Sequence, residues 1–356
     1  MIIEVGNVRR KKKQWTASSD RKHRQKTSLF PHSSLTLNWL LQLRAQICRS
    51  VLSIFLVFSL FGVVSPPAWA QKKGGQLEAQ KVSPGEAAPP GTGFHAVKGD
   101  PGNSFKLYSA TTEGLQISEN GGLSWRPLEV AGRHEEVFAL ALHPSNPNTV
   151  FVGRRDGLWK SPDGGKSWNS LPSPPSVPLA VAVAKSQPNT LYLATARNGI
   201  HKSTDGGYQW LAINNGLPEA RAGGRPEEIR TLAVNPLNSN VSYAAVSRQG
   251  IYRTTDGGKS WHQFNQGLPF PVASPIHPPK LSYDPDNPKR LYIAFNQPVN
   301  SHLTRVRLYV LSDNGEWLPV EAELPSDFSI QSLVIDSAKR TLQLWGIEAI
   351  WEIPLP

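Results

Sequence analysis

The sequence predicts an all-β fold, a β-propeller of about six four-stranded blades within bounds of five to seven. Three observations carry that expectation. One eight-residue phrase occurs four times, as SENGGLSW at 118–125, SPDGGKSW at 161–168, STDGGYQW at 203–210 and TTDGGKSW at 254–261, with a shortened echo SDNGEW at 312–317. Its Trp anchors stand 43, 42 and 51 residues apart, a period that fits one four-stranded sheet per repeat. Ahead of each phrase, an apolar strand turns through a Pro/Asn-rich corner into a second strand.

The chain divides into an export segment at 1–70, a flexible linker at 71–93 and one propeller at 94–356. The formal net charge of +11 is concentrated at the start, where residues 1–70 hold 11 Lys or Arg against 2 acids. A nucleic-acid-binding domain would spread basic charge over its folded surface, and the remaining residues are nearly balanced, so nucleic acid is excluded as a partner. An apolar run at 51–64 follows Arg44 and Arg49, and Ala68-Trp69-Ala70 offers a small-x-small cleavage site. Cleavage after Ala70 is expected, with an uncleaved N-terminal anchor as the alternative and the only expected membrane contact. The product would be exported across a membrane. The one cysteine, Cys48, lies in the segment to be removed, which leaves no disulfide, thiol nucleophile or Cys-based metal site. Residues 71–90 are polar and rich in Gly, Pro, Ala and Lys, as a linker is.

From Phe94 the blades follow in order. Blade one turns at Asp100-Pro101-Gly102-Asn103; blades two, three and four show strand, corner and strand at 138–152, 179–193 and 231–245. Blade five does so at 283–292, with a longer insert before Ser312, and a sixth unit runs from Ile330 to Ile353. That unit stops short of a fourth strand. Either it has three strands, or the ring closes by borrowing one from residues 76–82.

The repeated phrase has a turn chemistry. The hydroxyl of Ser118, Ser161, Ser203 or Thr254 and the side chain two residues on (Asn120, Asp163, Asp205 or Asp256) can both bond backbone N–H groups. The Gly-Gly pair supplies positive φ, and Trp125, Trp168, Trp210 and Trp261 open the next strand with an indole to bury. Asn120 in place of Asp suits a cap and not a general acid, so these residues are read as structural.

The phrase resembles the Asp-box (BNR) repeat of sialidases, sortilin-type receptors, xyloglucanases and the photosystem II assembly and stability factor family. The resemblance implies a propeller with Asp-box hairpins on its outer rim, away from the ligand face. The assembly factors fit the size best and imply a single exported propeller without an enzymatic site. The alternative it implies is a carbohydrate-active enzyme or lectin of the sialidase or xyloglucanase type.

A second repeat is less expected from turn chemistry. RDGLWK at 155–160, RNGIHK at 197–202 and RQGIYR at 248–253 place an Arg two residues before a Gly in three consecutive blades. In a meander this second-to-third turn emerges on the face opposite the repeated phrase. Arg155, Arg197 and Arg248, joined by Arg154, are therefore expected to line one face and to recognise anionic groups through the planar guanidinium fork. The expected partner is an acidic protein or peptide, such as a membrane-complex subunit, with carbohydrate as second choice. The bland alternative pairs each Arg with a nearby acid such as Glu136 or Glu228.

No catalytic residue, metal site or cofactor is expected. Glu135/Glu136 and Glu227/Glu228 are adjacent in sequence and so point to opposite sides of a strand. Tyr243, Tyr252, Tyr283 and Tyr292 read as core, the histidines lack metal spacing, and the Gly-Gly pairs are not followed by the helix of a phosphate loop.

Overall fold

Residues 77–82, 93–219, 224, 226–269, 278–299 and 304–355 are described by the computed structural model. The expected export segment, Cys48, Arg225, His277 and His302 lie outside them. A short strand β1 (Gln80–Val82) precedes six antiparallel meanders. Blade one holds β2 (Phe94–Asp100), β3 (Asn103–Thr111), β4 (Gly114–Ser118) and β5 (Arg126–Leu128). Blade two holds β6 (Val137–His143), β7 (Asn146–Arg154), β8 (Gly157–Ser161) and β9 (Asn169–Leu171). Blade three follows with β10 (Pro178–Val183), β11 (Leu191–Thr195), β12 (Gly199–Ser203) and β13 (Leu211–Ala212). Blade four is β14 (Ile229–Val234), β15 (Ser242–Val246), β16 (Gly250–Thr254) and β17 (His262–Gln263). Blade five is β18 (Lys280–Tyr283), β19 (Leu291–Pro298), β20 (Thr304–Leu311) and β21 (Trp317–Pro319). Blade six is β22 (Ser332–Asp336), β23 (Thr341–Trp345) and β24 (Ile350–Pro354), with β1 as its outer strand.

Each first strand neighbours the first strands of the adjacent blades, and β2 meets both β6 and β22, which closes the ring. The first strands therefore line the axis. Packing of a blade on both faces buries middle strands without alternation, as in β11 and β15, where all five residues are buried. Small residues allow the close approach near the axis. A Cβ on Gly153 would lie 2.6 Å from the Pro178 Cβ, and Ala110, Ala194, Ala245 and Ala294 occupy the matching second-strand position.

Closure uses the strand-borrowing option. Within the span expected as linker, Gln80, Lys81 and Val82 pair with Glu352, Trp351 and Ile350. The seam between blades six and one buries Phe94, Val97, Leu107, Val334, Trp345 and Ile350, with Val82 and Trp125 against them. Trp125 meets Trp345 edge to face at 6.0 Å, and the Ser332 hydroxyl accepts from the Val97 N–H at 3.0 Å. Burying the Trp345 indole with Trp125 packed against it removes a large apolar area from water and seals a ring that would otherwise present two sheet faces.

Candidate functional site

The rim that carries the repeated phrase is built as a set of turn caps. The Ser161 hydroxyl donates to Asp163 at 2.9 Å while accepting from the Gly165 N–H at 2.7 Å. Ser203 does the same with Asp205 and Gly207, Thr254 with Asp256 and Gly258, and Ser118 with Asn120 and Gly122. Asp163 and Asp256 each take the N–H and hydroxyl of the serine four residues on. Those donors favour the ionised form and hold the Asp163 carboxyl down at about 2. Asp205 and Asp256 are lowered for the same reason. Asn120 fits because an amide oxygen accepts the Ser124 N–H equally well, at 2.9 Å.

Three of the Trp anchors, Trp210, Trp261 and Trp317, bond the preceding blade through their indole N–H. Trp261 Nε1 donates to the Ile213 carbonyl at 2.8 Å, and its backbone N–H donates to the Asn215 carbonyl. Trp317 repeats both bonds with Phe264 and Gln266. Trp261 and Trp317 are fully buried, whereas Trp125, Trp168 and Trp210 are only partly so.

The opposite face holds the second-to-third turns. Arg155, Arg197 and Arg248 lie at this turn in three consecutive blades, and all three are exposed. Arg248 adopts φ +61, the left-handed region that a tight turn demands. Arg155 is 78% exposed, lies 3.9 Å from Glu136 and sits 5.9 Å over the Phe138 ring. The guanidinium groups of Arg197 and Arg248 have no acidic partner among the described residues. Glu228, the other acid expected to pair with these turns, instead meets Arg230 at 2.5 Å.

Arg154 is placed differently. Only 1% exposed, it forks onto Asp156, donates to the Val130 carbonyl at 2.6 Å, reaches Glu135 at 3.3 Å and lies 5.2 Å over the Trp159 ring. It ends β7, where alternation turns it inward while Arg155 turns outward. Its donors are committed to Asp156 in its own turn and to Val130 and Glu135 in the link between blades one and two, so it is not presented to a partner.

Asn214 and Asn265 went unread in the sequence, although both stand in the phrase Asn-x-Gly-Leu-Pro at 214–218 and 265–269. Asn214 accepts the Ile200 N–H at 2.7 Å and donates to the Asn198 carbonyl at 2.9 Å. Asn265 does so with Ile251 and Gln249. These amides lock the turns that carry Arg197 and Arg248, and the repeated phrase was the available signal.

Glu135 and Glu136 precede β6 rather than lying in a strand, and they diverge: Glu135 faces Arg133 and Arg154, and Glu136 faces His95 and Arg155. Along the axis, an inner cavity of about 50 Å³ is lined by all six first strands, including His95, Lys98, Arg230, Lys280 and Ser332. No carboxylate lines it among the described residues.

The sequence profile described as "Photosynthesis system II assembly factor YCF48" matches residues 107–267, somewhat less than half of the chain. The chain is a BNR-type β-propeller resembling that factor. It is also 23% identical over 275 residues to a probable oligoxyloglucan-reducing end-specific xyloglucanase of Neosartorya fischeri, covering 70% of this chain and 31% of the relative. An ancestral GH74 enzyme superposes with a TM-score of 0.52 at 22% identity, over 72% of this chain and 35% of the enzyme. That likeness speaks to the fold alone. A structure titled "YCF48 bound to D1 peptide" superposes at 0.47 and 16% identity, over 78% of this chain and 97% of that one. The chain spans about a third of the length of the xyloglucanase and the GH74 enzyme.

Proposed function

We propose that this propeller is an exported, non-catalytic binding module that captures an acidic stretch of polypeptide on its arginine-bearing face, as an assembly or scaffold factor for a membrane complex. The observation that carries this reading is the trio of exposed arginines, Arg155, Arg197 and Arg248, at one turn of three consecutive blades. A guanidinium meets a carboxylate through two parallel N–H donors. A single exposed pair is worth at most about 1 kcal/mol, so capture needs several engaged together along an acidic segment. Locked turns lower the ordering cost of that engagement, and Asn214 and Asn265 supply the lock. The match to the photosystem II assembly factor profile supports the same reading, and in a photosynthetic source the partner would be a photosystem II subunit. Export to a periplasm or thylakoid lumen belongs to this proposal, resting on the apolar run and Ala68-Trp69-Ala70.

A second reading, carbohydrate chemistry of the xyloglucanase type, draws on the similarity to the fungal xyloglucanase. Glycoside hydrolysis needs two carboxylates flanking the bond, roughly 5–10 Å apart. The carboxylates of the repeated phrase are turn caps, and Glu135, Glu136 and Glu228 are held in ion pairs, which favours binding. The deciding experiment offers the tagged full-length chain both a solubilised membrane extract and xyloglucan oligosaccharides. Capture of one membrane complex or its unassembled subunit, released by an acidic peptide, supports the proposal. Release of oligosaccharide products without such capture would replace it with the second reading.

A further inference from the structure

The axial cavity carries more positive charge than the face above it accounts for. The first strands converge there in register, and their equivalent positions can be compared. His95, Phe138, Leu179 and Arg230 are the bulge residues of β2, β6, β10 and β14. At the next position stand Ala96, Ala139, Ala180 and Thr231, but Lys280 in blade five. Two residues deeper stand Ala141, Ala182, Ala233 and Ser282, but Lys98 in blade one. Rings of small side chains are what converging strands require. Two lysines therefore interrupt two such rings, and both line the same cavity.

Their charge is not balanced locally. His95 bonds Glu136 at 3.1 Å and Arg230 bonds Glu228 at 2.5 Å. Neither Lys98 nor Lys280 has a hydrogen-bonding or acidic partner among the described residues. Both lysines are half-buried; drawing an ammonium partly out of water without a counter-charge is unfavourable, and the groups repel one another as well. Burial foremost, then Arg230 and Lys98, push Lys280 down to about 8. Burial lowers Lys98. Burial also lowers His95 against the pull of Glu136, with Arg230 and Lys280 adding to the lowering. A cavity of about 50 Å³ admits a few waters, at roughly 10–15 Å³ each, or one compact anion.

We propose that the axial cavity is a binding site for a single compact oxyanion of the carboxylate, sulfate or phosphate class, held by Lys98 and Lys280 with Arg230 and His95 beside them. Such an anion supplies the missing counter-charge and converts two unfavourable ammoniums into charge-assisted donors. The site is distinct from the exposed turns of Arg155, Arg197 and Arg248 and does not depend on the proposed function. Its anion is either free in solution or a carboxylate carried by a bound polypeptide.

The test is calorimetric titration of the full-length chain with sulfate, whose charge is constant across the working pH range. One saturable site is expected, weakened at least about tenfold in Lys98→Met and in Lys280→Met. It should be unchanged in the Arg155→Ala/Arg197→Ala/Arg248→Ala variant, which separates this inference from the surface reading. In the wild-type chain, which needs no substitution to fold, affinity should also fall as pH rises through about 8. There Lys280 loses its proton; the charged and titratable groups around it are Lys98, Arg230 and His95, the last two paired with Glu228 and Glu136. Sulfate that competes with a captured polypeptide assigns the anion to the partner, and simultaneous binding assigns it to solution. Absence of a saturable site, or equal affinity in the lysine variants, would overturn the proposal.

Discussion

At the residue scale, the anchoring Trp residues divide by burial. Trp261→Ala is expected to cost about 3–5 kcal/mol, as removal of a buried aromatic does, because its indole is 1% exposed and bonded to the Ile213 carbonyl. Trp168→Ala should cost less than half of that, since its indole is partly exposed and bonds within its own turn, to Gly165. Chemical denaturation of the two variants side by side checks the order. Lys280 gives a pH test. Its folded pKa of about 8 lies below the unfolded value near 10.4, so the folded state sheds the proton first and wild-type stability rises with pH between the two. Lys280→Met is therefore expected to melt above wild type at pH 7, with the difference narrowing toward pH 10. A constant difference would mean that charge is not what the substitution removes. The carboxylates of the caps are lowered for the opposite reason, since hydrogen-bond donors favour their charge where burial opposes that of Lys280. Asp163, held at about 2, contributes stability above the unfolded carboxylate range that is lost as pH falls toward 2. Asp163→Asn should keep the fold, as Asn120 does natively, and flatten that acid limb.

At the element scale, the hairpins were the most legible feature, because a hydroxyl, a carboxylate and two glycines at fixed spacing admit one turn chemistry. The closing strand was half legible: blade six visibly lacked a strand, but a three-residue segment such as Gln80-Lys81-Val82 has no pattern of its own, and only its pairing with Ile350, Trp351 and Glu352 makes it β. The locking phrase Asn-x-Gly-Leu-Pro was visible and went unread, since an Asn in a loop takes on meaning only when its partner turn is in place. It carries a prediction. A Cβ on Gly267 would run into the Trp317 carbonyl, at a φ of +89, so Gly267→Ala should cost about 1–3 kcal/mol by overpacking and backbone strain. An unchanged denaturation midpoint would mean that blades four and five are not locked there. Arg154 shows where local reading stops. Two adjacent arginines end a strand and enter a turn, and nothing local says which is buried. The structure sends Arg154 inward to Asp156 and Glu135 and leaves Arg155 outward.

At the scale of the whole molecule, the period of the Trp anchors was enough to reach a propeller, because each repeat can bury its faces only against its neighbours; counting the strand-corner-strand units put it at about six blades, and the structure has six. The axial lysines were not legible, since Lys98 and Lys280 come to line one cavity only when the ring has brought the first strands of blades one and five together. The surface claim belongs to this scale too, as three turns on three blades form a site only through the ring that aligns them. It is tested most directly by comparing polypeptide capture from the same membrane extract by wild type and by the Arg155→Ala/Arg197→Ala/Arg248→Ala variant. Both are measured at physiological salt and at about 1 M, where the screening length falls from about 8 Å to about 3 Å. The expected result is capture by wild type that fades at high salt and is lost in the variant, with both proteins melting at the same temperature. Equal capture by the two proteins at physiological salt would contradict the account.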